Sequence, residues 1–493
     1  MKDPGILSLV PTVITILVAL VSHRIILAMC LGIVSGAIIL EHSGFISIIK
    51  NICHYGYITC SDVERLKIAL FLLLVGGLLG IISESGAYIE FAKKLVKYLN
   101  SAVKVRVTTF ILGILIFFDD YASVLIAGTS MRSITEEKKI SPALMAYIVD
   151  TVATVVSITI LSTWSAFESS LMVTSAEPAG IRKSAVDLLL SSLPYHTCTY
   201  CGIFLAFLVA LSGKWFGKRF EDKEIQEKKE EIIIGKGAGF IHVFIPILTL
   251  ILCAIGGLLY SGYKKFHVLK HSEINIINLL GDAPTIHILI FSTLMSLLIC
   301  IILLKKDRIM PGGTMRKSFF TGVKHMVSAS LLIILSKGLS QISGDLGTGI
   351  YITGIFSPFV SYETLPAIIT VIAALVTIAT GISWSSMAIL MPIAYDMALN
   401  KGGSELLAIM GGAVISGAIL GGLLIPYSDT SVMASSAFKI STVYHVKTQF
   451  PQVMTVFAVS LMAYLLIGFQ VKLWIVYLIS AGLLGVVHWK FAR

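Results

Sequence analysis

Long apolar runs constrain this chain more than any other feature. Val10–Leu20, Ile25–Leu40, Ile68–Ile82, Ile241–Leu259 and Val453–Gly468 approach the roughly 20 residues that cross a bilayer. Charged residues make up only 13% of the 493, against about 25% in a soluble domain. With 56% apolar residues and a mean hydropathy of +0.90, a water-soluble globule is excluded. The pattern predicts an all-α polytopic membrane protein with about eleven transmembrane helices. Its first partner is the lipid bilayer. Lys2 precedes an apolar run without a small-residue cleavage site, and His23-Arg24 lead into a second run, so both read as retained spans.

A net charge of +10 would suggest nucleic acid in a soluble protein. Here Lys and Arg collect in cytoplasmic loops under the positive-inside rule, and no nucleic-acid partner is expected. The seven cysteines are scattered. Cys198 and Cys201 form one CxxC at the start of an apolar span, which lacks half the ligands of a zinc site. Cys53 and Cys60 could pair if their loop faces an oxidising compartment.

The chain carries a weak internal repeat. Leu79–Gly86 resembles Ser340–Gly347, Asp120–Ser123 matches Ser383–Ser386, and Thr163-Trp164-Ser165 matches Pro426-Tyr427-Ser428, in that order. The charged stretch Lys214–Lys236 separates the halves. The domain reading is therefore a first repeat at 1–213, a charged cytoplasmic linker at 214–240, a second repeat at 241–471 and a C-terminal transmembrane helix at 472–493.

Breaks in the apolar segments give the repeats a shape. The segment 106–132 is interrupted by Phe118-Asp119-Asp120-Tyr121. Each arm, about 12 residues or roughly 18 Å of helix, reaches only about halfway through a core of about 30 Å. Lys93, Lys94, Lys97, Lys104 and Arg106 precede it, and Arg132, Lys138 and Lys139 follow. A single crossing would put one basic cluster outside, whereas a re-entrant hairpin keeps both in the cytoplasm. The matching segment 367–396 turns at Gly381-Ile382-Ser383-Trp384 and lacks a basic excess, so it enters from the outside. Longer segments with their own breaks follow each hairpin: 143–175 at Ser162-Thr163-Trp164-Ser165 and 405–437 at Pro426-Tyr427-Ser428-Asp429. Two re-entrant hairpins and two broken helices in inverted-topology repeats point to a secondary transporter with a midplane site.

Asp119, Asp120, Asp150 and Asp429 lie inside these segments. Each buried Asp costs about 2.5–3.5 kcal/mol unless paired, protonated or ion-bound. An intramembrane acid is therefore a functional candidate. Such a carboxylate holds a proton or a hard cation in competition, which is the chemistry of an exchanger. Asp119, Asp120 and Asp429 are the candidate Na+ ligands, with hydroxyls of Ser123, Thr163, Ser383, Ser428 and Thr430 beside them. One acid of the Asp119-Asp120 pair could instead cap the second hairpin arm, Asp429 could be an N-cap, and Asp150 could pair with a Lys or Arg. Glu84 and Asp345 read as interfacial; Glu168 lies just past the first break. Tyr121, Trp164 and Trp384 read as packing or gating aromatics. The histidines, mostly near span ends, carry no expected chemistry.

Phe117-Phe118-Asp119-Asp120-Tyr121-Ala122, Leu125–Gly128, Met131-Arg132, Ala146–Asp150 and Ser162-Thr163-Trp164 resemble the core signature of NhaC-type sodium/proton antiporters. Ala379–Trp384, Ala388–Pro392 and Ser428-Asp429-Thr430 continue it. The resemblance implies Na+/H+ exchange across a bacterial inner membrane, with H+ and Na+ as coupling ions and no cofactor; some relatives instead exchange organic acids or move amino acids. Where the family shows an Asp-His pair, this chain has Gly422-Leu423, and Ser123 stands where an Asn is common. The expected function is a cation/proton antiporter. The alternative is an ion-coupled carrier of a small amino acid or organic acid. A homodimer is compatible with either. A channel needs a continuous polar pathway. An intramembrane aspartyl protease needs a Gly-x-Gly-Asp context that is absent here, so no enzyme is expected.

Overall fold

The computed structural model describes residues 5–22, 24–41, 44–87, 99–160, 162–177, 180–181, 183–216, 238–239, 241–269, 285–348, 351, 361–401, 403–426 and 428–492. Lys93, Lys94, Lys97, Tyr427, His23 and most of the charged linker lie outside them. The described residues form helices and no strand. In chain order these are α1 (Val10–Ser22), α2 (Ile25–Ile39), α3 (Phe45–Cys60), α4 (Val63–Glu84), α5 (Ala102–Leu115), α6 (Asp120–Glu137), α7 (Pro142–Ala153), α8 (Thr163–Ala176), α9 (Ala185–Ser192) and α10 (Thr197–Ser212). They continue with α11 (Ile241–Leu269), α12 (Thr285–Lys306), α13 (Gly312–Asp345), α14 (Leu365–Thr380), α15 (Ser383–Lys401), α16 (Leu406–Leu423), α17 (Asp429–Ala437), α18 (Thr442–Gly468) and α19 (Leu473–Phe491).

Among the described residues, six helices are long and apolar enough to cross a membrane, or up to eight if each of two bent pairs is one crossing. This makes a multi-pass membrane protein, with fewer qualifying spans than the roughly eleven expected. Four further apolar stretches, Ile6–Val18, Ile26–Ile39, Ile241–Gly257 and Leu365–Thr380, are shorter than this among the described residues. All seven cysteines are free, so Cys53 and Cys60 are not joined.

Both interrupted segments fold back on themselves. Ser123 Oγ donates to Gly113 O across α5 and α6 at 3.0 Å. Ser386 Oγ makes the corresponding bond to Ala373 O across α14 and α15, also at 3.0 Å. These two serines are the pair matched in the sequence repeat. At the second turn Gly381 adopts φ +85° and its N–H closes the end of α14 on Thr377 O at 2.8 Å. A side chain there would be strained, which is why glycine ends this arm.

The broken segments are bent. A 3-10 turn, Thr154–Ile158, follows α7, and the axis swings 48° into α8. Hydroxyls take up the backbone groups this frees, as irregular chain in a dry interior requires. Ser162 Oγ donates to Val156 O at 2.6 Å, Ser165 Oγ to Ile160 O at 2.9 Å, and Ser162 and Ser165 close a capping box at the start of α8. The second break, 424–428, separates α16 from α17. A third bend of 50°, between Tyr195 and Thr197, was not expected from the sequence.

The two halves interlock. Helices α4 and α13 approach closely enough that a Cβ on Gly322 would lie 2.0 Å from Gly76 O. Each hairpin then packs against the broken segment of the opposite half: α6 against α17, and α15 against α8. At the far end of α8, Glu177 accepts from Lys337 of α13 at 2.7 Å and from Arg65 of α4 at 3.0 Å, and Arg65 also pairs with Asp62.

Candidate functional site

The first hairpin ends against the first break. Thr163 N donates to Phe118 O at 3.0 Å, and Thr159 Oγ1 donates to Phe117 O at 3.2 Å. Asp119 is the N-cap of α6, accepting from Ala122 N at 2.9 Å, and its other oxygen accepts from Thr163 Oγ1 at 3.3 Å. The capping role considered for this acid pair thus falls to Asp119, leaving Asp120 as the first residue of α6.

A cavity lies between the crossed elements. It spans about 500 Å³ including its mouth. A water takes about 30 Å³ in the liquid, so several waters or a small solute fit. Asp120, Asp150 and Asp429 line it, with Ser383, Ser428, Thr430, Tyr121, Trp164 and Trp384. Of the sequence candidates, Asp119, Ser123 and Thr163 do not line it: Asp119 and Thr163 hold each other, and Ser123 holds the hairpin arms together. Among the described residues no group of three or more His, Cys, Asp or Glu side chains is placed to hold a metal ion. Of the three candidate Na+ ligands, Asp120 and Asp429 line the cavity and Asp119 is held by Thr163.

Charge in the cavity is one-sided. Among the described residues no Lys, Arg or His lines it. Asp120 Oδ1, Asp150 Oδ1 and Trp164 Nε1 are buried without a hydrogen-bond partner among the described residues. Asp120 and Asp150 are 3% and 1% exposed, whereas Asp429 is exposed and accepts from Tyr121 Oη at 3.0 Å. Buried polar atoms of this kind are normally satisfied, so the two buried acids present free acceptor atoms beside the cavity. Helices α6, α8, α15 and α17 all begin at its wall. Their N-terminal partial charges are positive and favour the acids at the starts of α6 and α17.

Asp150 is anchored by residues that the sequence reading passed over. Its Oδ2 accepts from Ser431 Oγ at 2.9 Å and Gln449 Nε2 at 3.2 Å, and lies 3.1 Å from His445 Nε2. The expected Lys or Arg partner is thus a histidine. Gln449 Nε2 also donates to Leu423 O at 2.7 Å, satisfying the end of α16 at the second break. The signal was present: His445, Thr448, Gln449 and Gln452 are all buried polar residues on α18, and their spacing forms one helical stripe.

The aromatic residues bridge the halves. Trp164 and Trp384 meet edge to face at 5.6 Å, and Phe167 lies 4.5 Å from Trp384. Gly422 and Leu423, where the family pattern carries an acid and a histidine, also line the cavity. A Cβ on Gly422 would lie 2.8 Å from Ser383 Oγ and 3.6 Å from Ser428 Oγ, so a side chain at this position would press on Ser383.

Comparison with known proteins agrees with this picture. Residues 161–469 match the model of the Na+/H+ antiporter family. An uncharacterised protein of Haemophilus influenzae is 28% identical over 490 residues, covering 94% of this chain and 91% of its own. The malate-2H+/Na+-lactate antiporter of Bacillus subtilis is 28% identical over 166 residues, 32% of this chain and 34% of its own. Two solved structures share the fold. MtrF of Neisseria gonorrhoeae, described as illuminating a class of antimetabolite efflux pumps, has a TM-score of 0.57 at 14% identity, over 89% of this chain and 93% of its own. The YdaH transporter of Alcanivorax borkumensis has a TM-score of 0.58 at 13% identity, over 88% and 91%.

Proposed function

We propose that this chain, which belongs to the Na+/H+ antiporter family and is a secondary transporter rather than an enzyme, exchanges Na+ for H+ across the bacterial inner membrane. The observation that carries this reading is the cavity wall: three carboxylates and no basic side chain. Asp120 and Asp150 offer unpaired oxygens. Hydroxyls of Ser383, Ser428 and Thr430 supply the further neutral oxygens that a hard cation needs. A proton and Na+ compete for the same carboxylate, and that competition makes the exchange obligatory.

The hairpins are proposed to be re-entrant from opposite faces, in inverted repeats whose tips meet at the cavity. The matched Ser123 and Ser386 bonds and the crossed packing support this. Alternation then moves one set of crossed elements against the other around a fixed site.

A second reading is favoured by two observations. The cavity has a Trp164–Trp384 wall, and Gly422 and Leu423 line it in place of the acid and histidine of the family pattern. Helix α15 begins there with Ser383-Trp384 and no acid in the first turn, so its positive N-terminal end suits an organic carboxylate. In that reading a small organic acid or amino acid is exchanged with the coupling ion. Purified protein in proteoliposomes with an internal pH dye separates the two. NaCl added against an imposed pH gradient should move protons, and lactate or malate should neither replace nor block it. Proton movement with the organic acid but not with NaCl would reverse the order of the readings.

A further inference from the structure

Helix α8 carries a second buried acid outside the cavity. Glu168 is 0% exposed, and both of its carboxyl oxygens are buried with no hydrogen-bond partner among the described residues. It lies one turn beyond Trp164, about 6 Å along the helix axis. Side chains on a helix lean toward its N-terminus, which here is the cavity end. The other end of α8 is fixed by Glu177 to Arg65 and Lys337.

Several ionisable groups on the elements packed against α8 are engaged away from Glu168 or uncharged. Arg65 on α4 and Lys337 on α13 hold Glu177. Asp187 on α9 accepts from Ser184 at 2.7 Å. Tyr395 on α15 keeps a buried hydroxyl without a partner among the described residues. No salt bridge among the described residues reaches Glu168. An ionised carboxylate in such a place has neither counter-charge nor donor, and its desolvation penalty far exceeds that of the neutral acid. The carboxyl must therefore hold its proton in this arrangement.

We infer that Glu168 is a proton-binding site of the transport cycle, distinct from the cavity acids. Its proton leaves to water as hydronium only when α8 shifts against α15 and α13 and water or a cation reaches the carboxylate. Proton release is in this way tied to movement of the helix that starts at the cavity. This inference deepens the antiport reading and rests on it for the identity of the exchanged ion.

The test uses the full chain with Glu168→Gln, an uncharged side chain of nearly the same shape. In proteoliposomes at equal pH on both sides, radiolabelled Na+ counterflow should persist, whereas Na+-driven proton movement should fall to background. Glu168→Asp should keep coupled transport with a displaced pH profile. By infrared difference spectroscopy at neutral pH, the wild type should show a protonated-carboxyl band that Glu168→Gln lacks. Retained proton movement with an unchanged pH profile in Glu168→Gln would overturn the inference. So would the absence of that band, whatever the transported ion proves to be. A wild type that shows the band but moves no protons with Na+ would instead sink the Na+/H+ reading and leave Glu168 as a proton site.

Discussion

Replacing Gly322 with Ala tests the contact on which the two halves lean. A Cβ there would sit 2.0 Å from Gly76 O and 3.0 Å from the Cα of Gly80. Ordinary contacts begin near 3.4 Å, and the obstacle is backbone, so no rotamer change relieves it. Helices α4 and α13 must part by roughly 1 Å or more, loosening a close-packed interface. Overpacking of this kind costs about 1–3 kcal/mol, while Gly→Ala in a helix returns up to about 1 kcal/mol. The net expectation is a loss of about 1–2 kcal/mol. Gly485→Ala on α19 is the matched control, because nothing lies within 4 Å of its new Cβ. Thermal unfolding of detergent-solubilised protein should give a midpoint several degrees lower for Gly322→Ala and unchanged or slightly higher for Gly485→Ala. Equal midpoints would refute the close approach of α4 and α13.

Asp120→Asn should abolish ion-driven transport with little loss of folded protein, read as transport activity against a monodisperse chromatographic peak. Asp150→Asn should cost about 2 kcal/mol as well as transport, since charge-assisted bonds from Ser431, His445 and Gln449 weaken; an unshifted melting midpoint would count against that network. Gly422→Ala should reduce transport, because its Cβ would push on Ser383 Oγ at 2.8 Å; radiotracer uptake measures the loss. Glu177 titrates below the ordinary carboxylate range: burial raises its pKa, but the Lys337 hydrogen bond and the Arg65 charge outweigh that. Its contribution is therefore present above the ordinary Glu value of about 4.3 and lost as pH falls through the lower native value. Because its side chain is 50% exposed, the effect is small. Glu177→Gln should flatten the acid limb of the stability profile and leave the neutral region nearly unchanged.

The hairpins and broken segments were legible because interruptions in apolar runs are conspicuous. Asp119-Asp120 cannot sit in a lipid-facing span, and Pro426 cannot continue a helix. The division of labour between neighbours was not legible. Whether Asp119 or Asp120 caps α6 depends on which carboxylate reaches Ala122 N, a matter of one torsion at the turn. His445 was missed because a histidine is judged by its neighbours in space, and Asp150 lies 295 positions away in sequence. Six to eight spans qualify among the described residues, and apolar composition alone does not say where a helix stops. The third bend, between Tyr195 and Thr197, has Pro194 beside it, yet Pro also begins helices without bending them.

The crossed packing bears on how the protein is made. Asp120 and Asp150 emerge from the ribosome long before Tyr121 can meet Asp429 or Asp150 can meet His445 and Gln449. The first half must therefore wait in the bilayer with its acids uncovered, neutralised by protons or kept at the insertion machinery. Only when the chain past position 449 has been inserted do those acids gain their neighbours. Synthesis itself thus imposes an order: the polar interior closes last, from its C-terminal side.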